Sequence, residues 1–162
     1  KGLSLLRRAE QERGSLPVLD VLVPELRAVG KRIVVLEDKQ SRLERFEKWF
    51  GGTHELVQTK IIRTGIDLLR EKKADFLFLD FDVHDPGDRT LREWLNVEPK
   101  RKELDGLDLA YYVRRMAPKD RPGTVVVHSR NKVGAAMMTD FLVKIDMKPV
   151  SWVFDYDWTG VK

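Results

Sequence analysis

Apolar residues along this chain fall into short unbroken runs, separated by stretches in which they recur every three or four positions. Ile33–Leu36, Phe76–Leu79 and Val125–Val127 are continuous apolar runs of strand length. Val150–Phe154 reads as a last strand and Glu55–Gln58 as a weaker one. Between them, Leu43, Phe46 and Phe50 share one helical face, as do Ile62, Ile66 and Leu69. Leu109, Val113 and Met116 make a third stripe, and Met138, Phe141, Leu142 and Ile145 a fourth. Gly51-Gly52 stops the first helix and Pro118 the third.

The predicted order is β-α-β-α-β-α-β-α-β. Near-continuous apolar strands alternating with amphipathic helices indicate an α/β fold whose parallel sheet is covered on both faces. Right-handed crossovers then favour a five-stranded doubly wound sheet ordered 2-1-3-4-5, spanning residues 32–162. Residues 1–31 read as an N-terminal extension or linker, with Pro24 opening a short helix at 25–29. The stretch His84–Leu104 is too long for a plain connection.

Composition narrows the picture. The 162 residues fit one domain, and 42% hydrophobic with 35% charged residues describes a chain with a real core. The net charge of +4 comes from scattered residues and does not argue for nucleic-acid binding by itself. Cysteine is absent, which excludes disulfides, thiol catalysis and thiolate-held metals. No secretory leader is legible, and no apolar run approaches the roughly 18–20 residues of a membrane span. The expectation is a cytoplasmic protein with no membrane partner.

In an open parallel sheet, ligands bind beyond the carboxyl ends of the strands. There the first strand delivers Glu37 and Asp38, the third Asp80 and Asp82, and the fourth His128, Ser129 and Asn131. Acids meeting from neighbouring strands repel unless a proton or a cation sits between them. Hard oxygen ligands suit Mg²⁺ or Mn²⁺, so Glu37, Asp38 and Asp80 are the expected metal ligands. His128 can move protons near neutral pH, and Ser129 and Asn131 can hold phosphoryl oxygens. Arg130 and Lys132 add positive charge, and His84 can fold over the acids from its loop. The plainer alternatives remain open: acids that cap strand ends in water, and a buried histidine bonded to backbone.

Four pieces of the chain carry a family resemblance: Val35-Leu36-Glu37-Asp38 followed by Arg42, Leu79-Asp80-Phe81-Asp82, Asp105-Gly106-Leu107-Asp108, and the run from Val127 to Met138. With these, the stretch from Ile33 to about Leu142 resembles the cyclic-phosphate-processing receiver domains. The resemblance implies a receiver, or flavodoxin-like, fold that handles cyclic phosphates at RNA ends or on cyclic nucleotides. It carries the site to Glu37, Asp38, Asp80, Asp82, His128 and Ser129. The chain departs from the family at Glu37, where the family has aspartate, and at Phe81, where it has histidine; His84 is the residue nearest to replace the latter. The same motifs also resemble phosphoacceptor receivers, with Asp80 accepting phosphate and Ser129 as the switch hydroxyl. Those carry a lysine after the last strand, where Val153-Phe154-Asp155 has none.

The expected function is therefore metal-assisted hydrolysis of a cyclic or terminal phosphate on a small molecule or an RNA end. His128, Ser129 and Asp82 would be catalytic, and Asn131, Arg130, Lys132 and His84 would bind substrate. The alternative is a non-catalytic pseudo-receiver that docks a protein partner through residues 1–31 or 84–104.

Overall fold

In the computed structural model, which describes Leu26 and residues 29–151, the apolar runs become five parallel strands: β1 (Arg32–Leu36), β2 (Glu55–Thr59), β3 (Phe76–Leu79), β4 (Thr124–Val127) and β5 (Val150–Ser151). They lie in the order β2-β1-β3-β4-β5, as the alternating pattern requires. β1 and β3 are buried along their whole length, which is why their sequences show no polar alternation. β2 is an edge strand with only Thr59 fully buried, which explains its weak hydrophobic signal.

Register aligns the strand ends. Leu36 pairs with Thr59 and Leu79, Leu79 with Val127, and Val127 with Ser151. The ladder runs one residue further: Glu37 N–H donates to Thr59, Asp80 N–H to Leu36, and His128 N–H to Leu79. Glu37, Asp80 and His128 thus occupy the same ladder position on three neighbouring strands.

Helix α1 (Gln40–Phe50) covers one face, setting Leu43, Phe46, Trp49 and Phe50 on Val35, Phe78 and Val126, where buried Leu26 joins them. The other face carries α2 (Ile62–Glu71), α4 (Gly106–Arg115) and α5 (Lys132–Lys144) over Leu36, Leu79 and Val127. A 3₁₀ turn at Pro118–Asp120 follows α4. Residues 1–25, 27 and 28 of the extension, and with them most of the expected helix at 25–29, lie outside the described residues, as does the last strand beyond Ser151.

The stretch 84–104 is more ordered than the sequence suggested. Asp88 accepts from Leu91 N–H at 2.8 Å and starts a short helix, α3 (Arg89–Trp94). Asp85 and Leu104 form an antiparallel bridge, and the Asp85 carboxylate accepts Ile62 N–H at the start of α2. A reciprocal cap of Asp105 and Asp108, with Arg101 bonded to Asp108, then begins α4. Gly106 N–H donates to Phe81 carbonyl at 2.8 Å, so this loop is tied directly to the end of β3.

The approach at Gly106 leaves no room for a side chain, since a Cβ there would lie 2.0 Å from the Asp80 carbonyl oxygen. Gly106→Ala is expected to destabilise the fold by about 1–3 kcal/mol, as backbone must move. At Gly65 inside α2 a Cβ would meet side chains rather than backbone, Leu109 at 3.2 Å and Thr59 at 3.9 Å. There the gain of about 0.8–1 kcal/mol in helix propensity offsets the squeeze, so Gly65→Ala is expected to be near neutral. Urea unfolding midpoints of the two variants check the contrast.

Candidate functional site

Beyond the carboxyl ends of β1, β3 and β4 lies a cleft of about 190 Å³. The β1–α1 turn contributes Asp38 and Lys39 to its wall, and the first turn of α1 contributes Arg42. The segment after β3 contributes Asp80, Asp82 and His84, and the β4–α5 turn adds Ser129, Arg130 and Asn131. Lys132 is exposed at the start of α5, outside this lining.

Glu37 and His128 lie beneath the cleft. Side chains alternate along a strand, and with Leu36 and Val127 facing α2, α4 and α5, the next residues face α1. Both are completely buried. The His128 ring sits 5.5 Å from Phe46 and 6.3 Å from Phe78, and its Nε2 is 2.9 Å from Glu37 Oε2. Burial pushes the His128 pKa down, so the ring is neutral and donates its Nε2–H to the carboxylate.

The Glu37 carboxylate is otherwise engaged too. Oε1 accepts the backbone N–H of Asp38 at 3.1 Å and of Lys39 at 3.0 Å, and Arg42 Nη1 lies 3.4 Å from Oε2. Burial alone would raise its pKa, but the His128 hydrogen bond, the Lys39 N–H and the Arg42 charge outweigh it and hold the group below the ordinary carboxylate range. Glu37 is therefore a buried anion with satisfied oxygens.

Asp80 behaves in the opposite way. Burial first, and the Glu37 charge second, push its carboxyl up to about 7, against the Ser129 hydroxyl and the Arg42 guanidinium, 3.9 Å away. Asp38 is also raised, by burial and then by Glu37. One oxygen from each of Glu37, Asp38 and Asp80 falls within 4.8 Å of the others, so this buried acidic cluster could hold a metal ion. The donor set is all carboxylate, which fits Mg²⁺ or Mn²⁺. Asp38 and Asp80 open onto the cleft, whereas Glu37 already carries its partners.

The polar wall opposite is pre-arranged. Asn131 caps α5 by accepting Gly134 N–H at 2.9 Å, and its Nδ2 donates to Asp82 at 3.3 Å. Ser129 Oγ accepts Asn131 N–H at 3.2 Å. His84 stands with a left-handed φ of 51°, uncommon outside glycine, and is 66% exposed in its side chain. Its Nδ1 lies 3.0 Å from Glu103 Oε2 and its Nε2 3.8 Å from Asp38 Oδ2; the Glu103 hydrogen bond raises its pKa. Phe81 packs on the core of the three-helix face, its ring so close to Gly134 that a Cβ there would come within 2.3 Å.

Sequence reasoning passed over three residues here. Arg42 entered only as part of a motif, although a charge beside Leu43 on the covered side of α1 signals a buried ion pair. Lys39 and Glu103 carried no local signal.

The family described as Cyclic-phosphate processing Receiver domain matches residues 32–144. Among solved structures, the chain is similar to NtrX from Brucella abortus, with a TM-score of 0.54 and 14% identity. That match covers 80% of this chain and 24% of NtrX, so the chain corresponds to only part of that protein. The signal receiver domain of a protein described as a Luxo repressor, from Vibrio parahaemolyticus, gives a TM-score of 0.51 and 13% identity, over 80% of this chain and 82% of that one. Such identities show the fold alone, and it is the receiver-like fold expected from the motifs. No curated protein matches the chain.

The raised Asp80 pKa has a measurable consequence. A folded-state pKa of about 7 against an ordinary 3.8 means that the folded protein binds this proton more tightly. Its share of stability is full below about pH 4 and is lost as pH rises through 7. In metal-free buffer at pH 8, Asp80→Asn is therefore expected to be more stable than wild type by roughly 1–3 kcal/mol. The advantage should vanish below pH 4, as denaturant titrations at the two pH values will read.

Proposed function

The chain belongs to the family of cyclic-phosphate processing receiver domains, and from that premise we propose that its cleft hydrolyses a cyclic or terminal phosphate ester with a divalent cation bound. The observation that carries the reading is the convergence, in one cleft, of carboxylates from two strand ends with hydroxyl, amide and guanidinium donors from a third. Asp38 and Asp80 would hold Mg²⁺ or Mn²⁺, with Glu37 behind them. When bound, the cation supplies positive charge against the phosphate.

The remaining roles fall to the chain itself. The Ser129 hydroxyl, the Arg130 guanidinium and the Asn131 amide orient the phosphoryl oxygens. Water adds to phosphorus while Asp82 takes its proton. The P–O bond to the departing hydroxyl breaks, and protonated His84 gives that oxygen its proton. His84 fits this role better than His128, because it lines the cleft and Glu103 holds its other nitrogen. His128 lies below, where it fixes the Glu37 carboxylate.

A second reading, a non-catalytic module, is favoured by one observation: Arg42 already brings a positive charge to within 3.9 Å of Asp80. Such a module would use the outer surface of 84–104, where Trp94 is exposed and Arg115 stacks on its ring.

Two measurements separate the readings. Millimolar Mg²⁺ or Mn²⁺ is expected to raise the wild-type melting temperature, with a stabilisation of about 2.7 kcal/mol at a hundredfold excess over Kd, and to leave Asp80→Asn unmoved. Turnover of 2′,3′-cyclic nucleotides is expected to fall by about 10²–10⁴-fold in His84→Ala. His128→Ala, by contrast, should chiefly lower stability, by about 1–3 kcal/mol. A melting curve indifferent to both ions, together with no turnover, selects the module.

A further inference from the structure

The acid cluster already contains a cation. Arg42 lies in the first turn of α1, among the residues that α1 buries with Leu43, Phe46 and Phe50, and its side chain is only 9% exposed. That packing carries the guanidinium to the acids. Nη1 stands 3.5 and 3.4 Å from the two oxygens of Glu37 and 3.9 Å from Asp80 Oδ2. A charge-assisted N–H···O bond is ordinarily about 2.7–2.9 Å long, and arginine commonly meets one carboxylate as a two-pronged fork. Here a single nitrogen is suspended between two carboxylates at longer range, so it contributes charge more than hydrogen bonding.

The carboxylates agree. Glu37 Oε1 accepts the Asp38 and Lys39 N–H groups and Oε2 accepts His128, so its hydrogen bonds are met without the guanidinium. What Arg42 adds is relief of repulsion: its charge favours the ionised form of Glu37 and opposes the rise at Asp80. Glu37 and Asp80 are also two of the three residues, with Asp38, whose oxygens lie within 4.8 Å of one another. The guanidinium and a metal ion would therefore neutralise the same pair. Two cations serving the same carboxylates stand far inside the roughly 8–10 Å over which salt screens exposed charges, and burial weakens the screening further.

We infer that Arg42 is a resident counter-ion of the acid cluster, which opposes a divalent cation at Glu37 and Asp80 and so sets the affinity of the cleft for it. The inference rests on the reading, above, that this cluster takes a divalent cation. Anchored on a packed helix, the guanidinium can shift but not depart, so a metal binds against its charge. Removing that charge also favours a proton on Asp80, but a divalent cation carries twice the charge of a proton, so the metal gains the more.

The full chain at pH 8 is titrated calorimetrically with MgCl₂ and with MnCl₂, as wild type, Arg42→Lys and Arg42→Met. Arg42→Met is expected to bind either ion at least about tenfold more tightly than wild type, and Arg42→Lys, which keeps the charge, within about threefold of it. Arg42→Met is also expected to melt below wild type in metal-free buffer and to recover with the ion, because its buried acids then lack their cation. A folded Arg42→Met that binds no more tightly than wild type overturns the inference and leaves the metal reading standing. Equal tightening in Arg42→Lys overturns it too, since the cause is then shape and not charge. Binding by Arg42→Met alone upholds the inference while removing metal-assisted hydrolysis from the wild type. Binding by neither, in folded chains, overturns both. Should Arg42→Met fail to fold, Arg42→Gln reads the same comparison. Neutral variants that stay unfolded even in millimolar ion overturn the inference, because the ion then cannot replace the charge.

Discussion

The cleft depends on how two carboxylates, delivered to adjacent ladder positions by register alone, are kept from repelling each other. Glu37 and Asp80 follow paired residues, Leu36 and Leu79, and cannot separate without breaking the β1–β3 ladder. The compensation is unequal. Glu37 receives His128, Arg42 and two backbone N–H groups, so its charge is settled inside the fold. Asp80 receives a more distant share of Arg42 and the Ser129 hydroxyl, and its ionisation is resisted by burial and by the Glu37 charge. Neighbouring acids in unlike surroundings are how one site keeps a fixed anion and a titratable one side by side.

Much of this was legible before any coordinates. The buried strands announce themselves as unbroken apolar runs, and the sheet order follows from alternation with helices and right-handed crossovers. The acids Asp38, Asp80 and Asp82 and the polar group Ser129, Arg130 and Asn131 are found in the cleft because residues just after parallel strands have nowhere else to go. Lys132 is one helical position too far along, and it points to solvent.

The side of the sheet that His128 faces was also readable, though it takes a different argument. Val125 and Val127 pack on the three-helix face and Val126 on the α1 face, so a period of two sends His128 under α1 with Phe46 and Phe78. Proximity to the functional edge fixes where a backbone is; strand parity fixes where a side chain goes. Helix α3 escaped for another reason. It is six residues long, below the length at which periodicity speaks, and depends on the Asp88 cap and the Asp85–Leu104 bridge for its definition.

The contact between Phe81 and Gly134 ties two positions 53 residues apart in the chain into one unit of inheritance. A ring at 81 is tolerated only while 134 has no side chain, so drift at either site is conditional on the other. A lineage that exchanged Phe81 for a residue without a ring would release 134 to vary. One that first gained alanine at 134 would drive the ring from its seat and toward the acids. The order in which such changes can accumulate is thus set by a gap narrower than a methyl group.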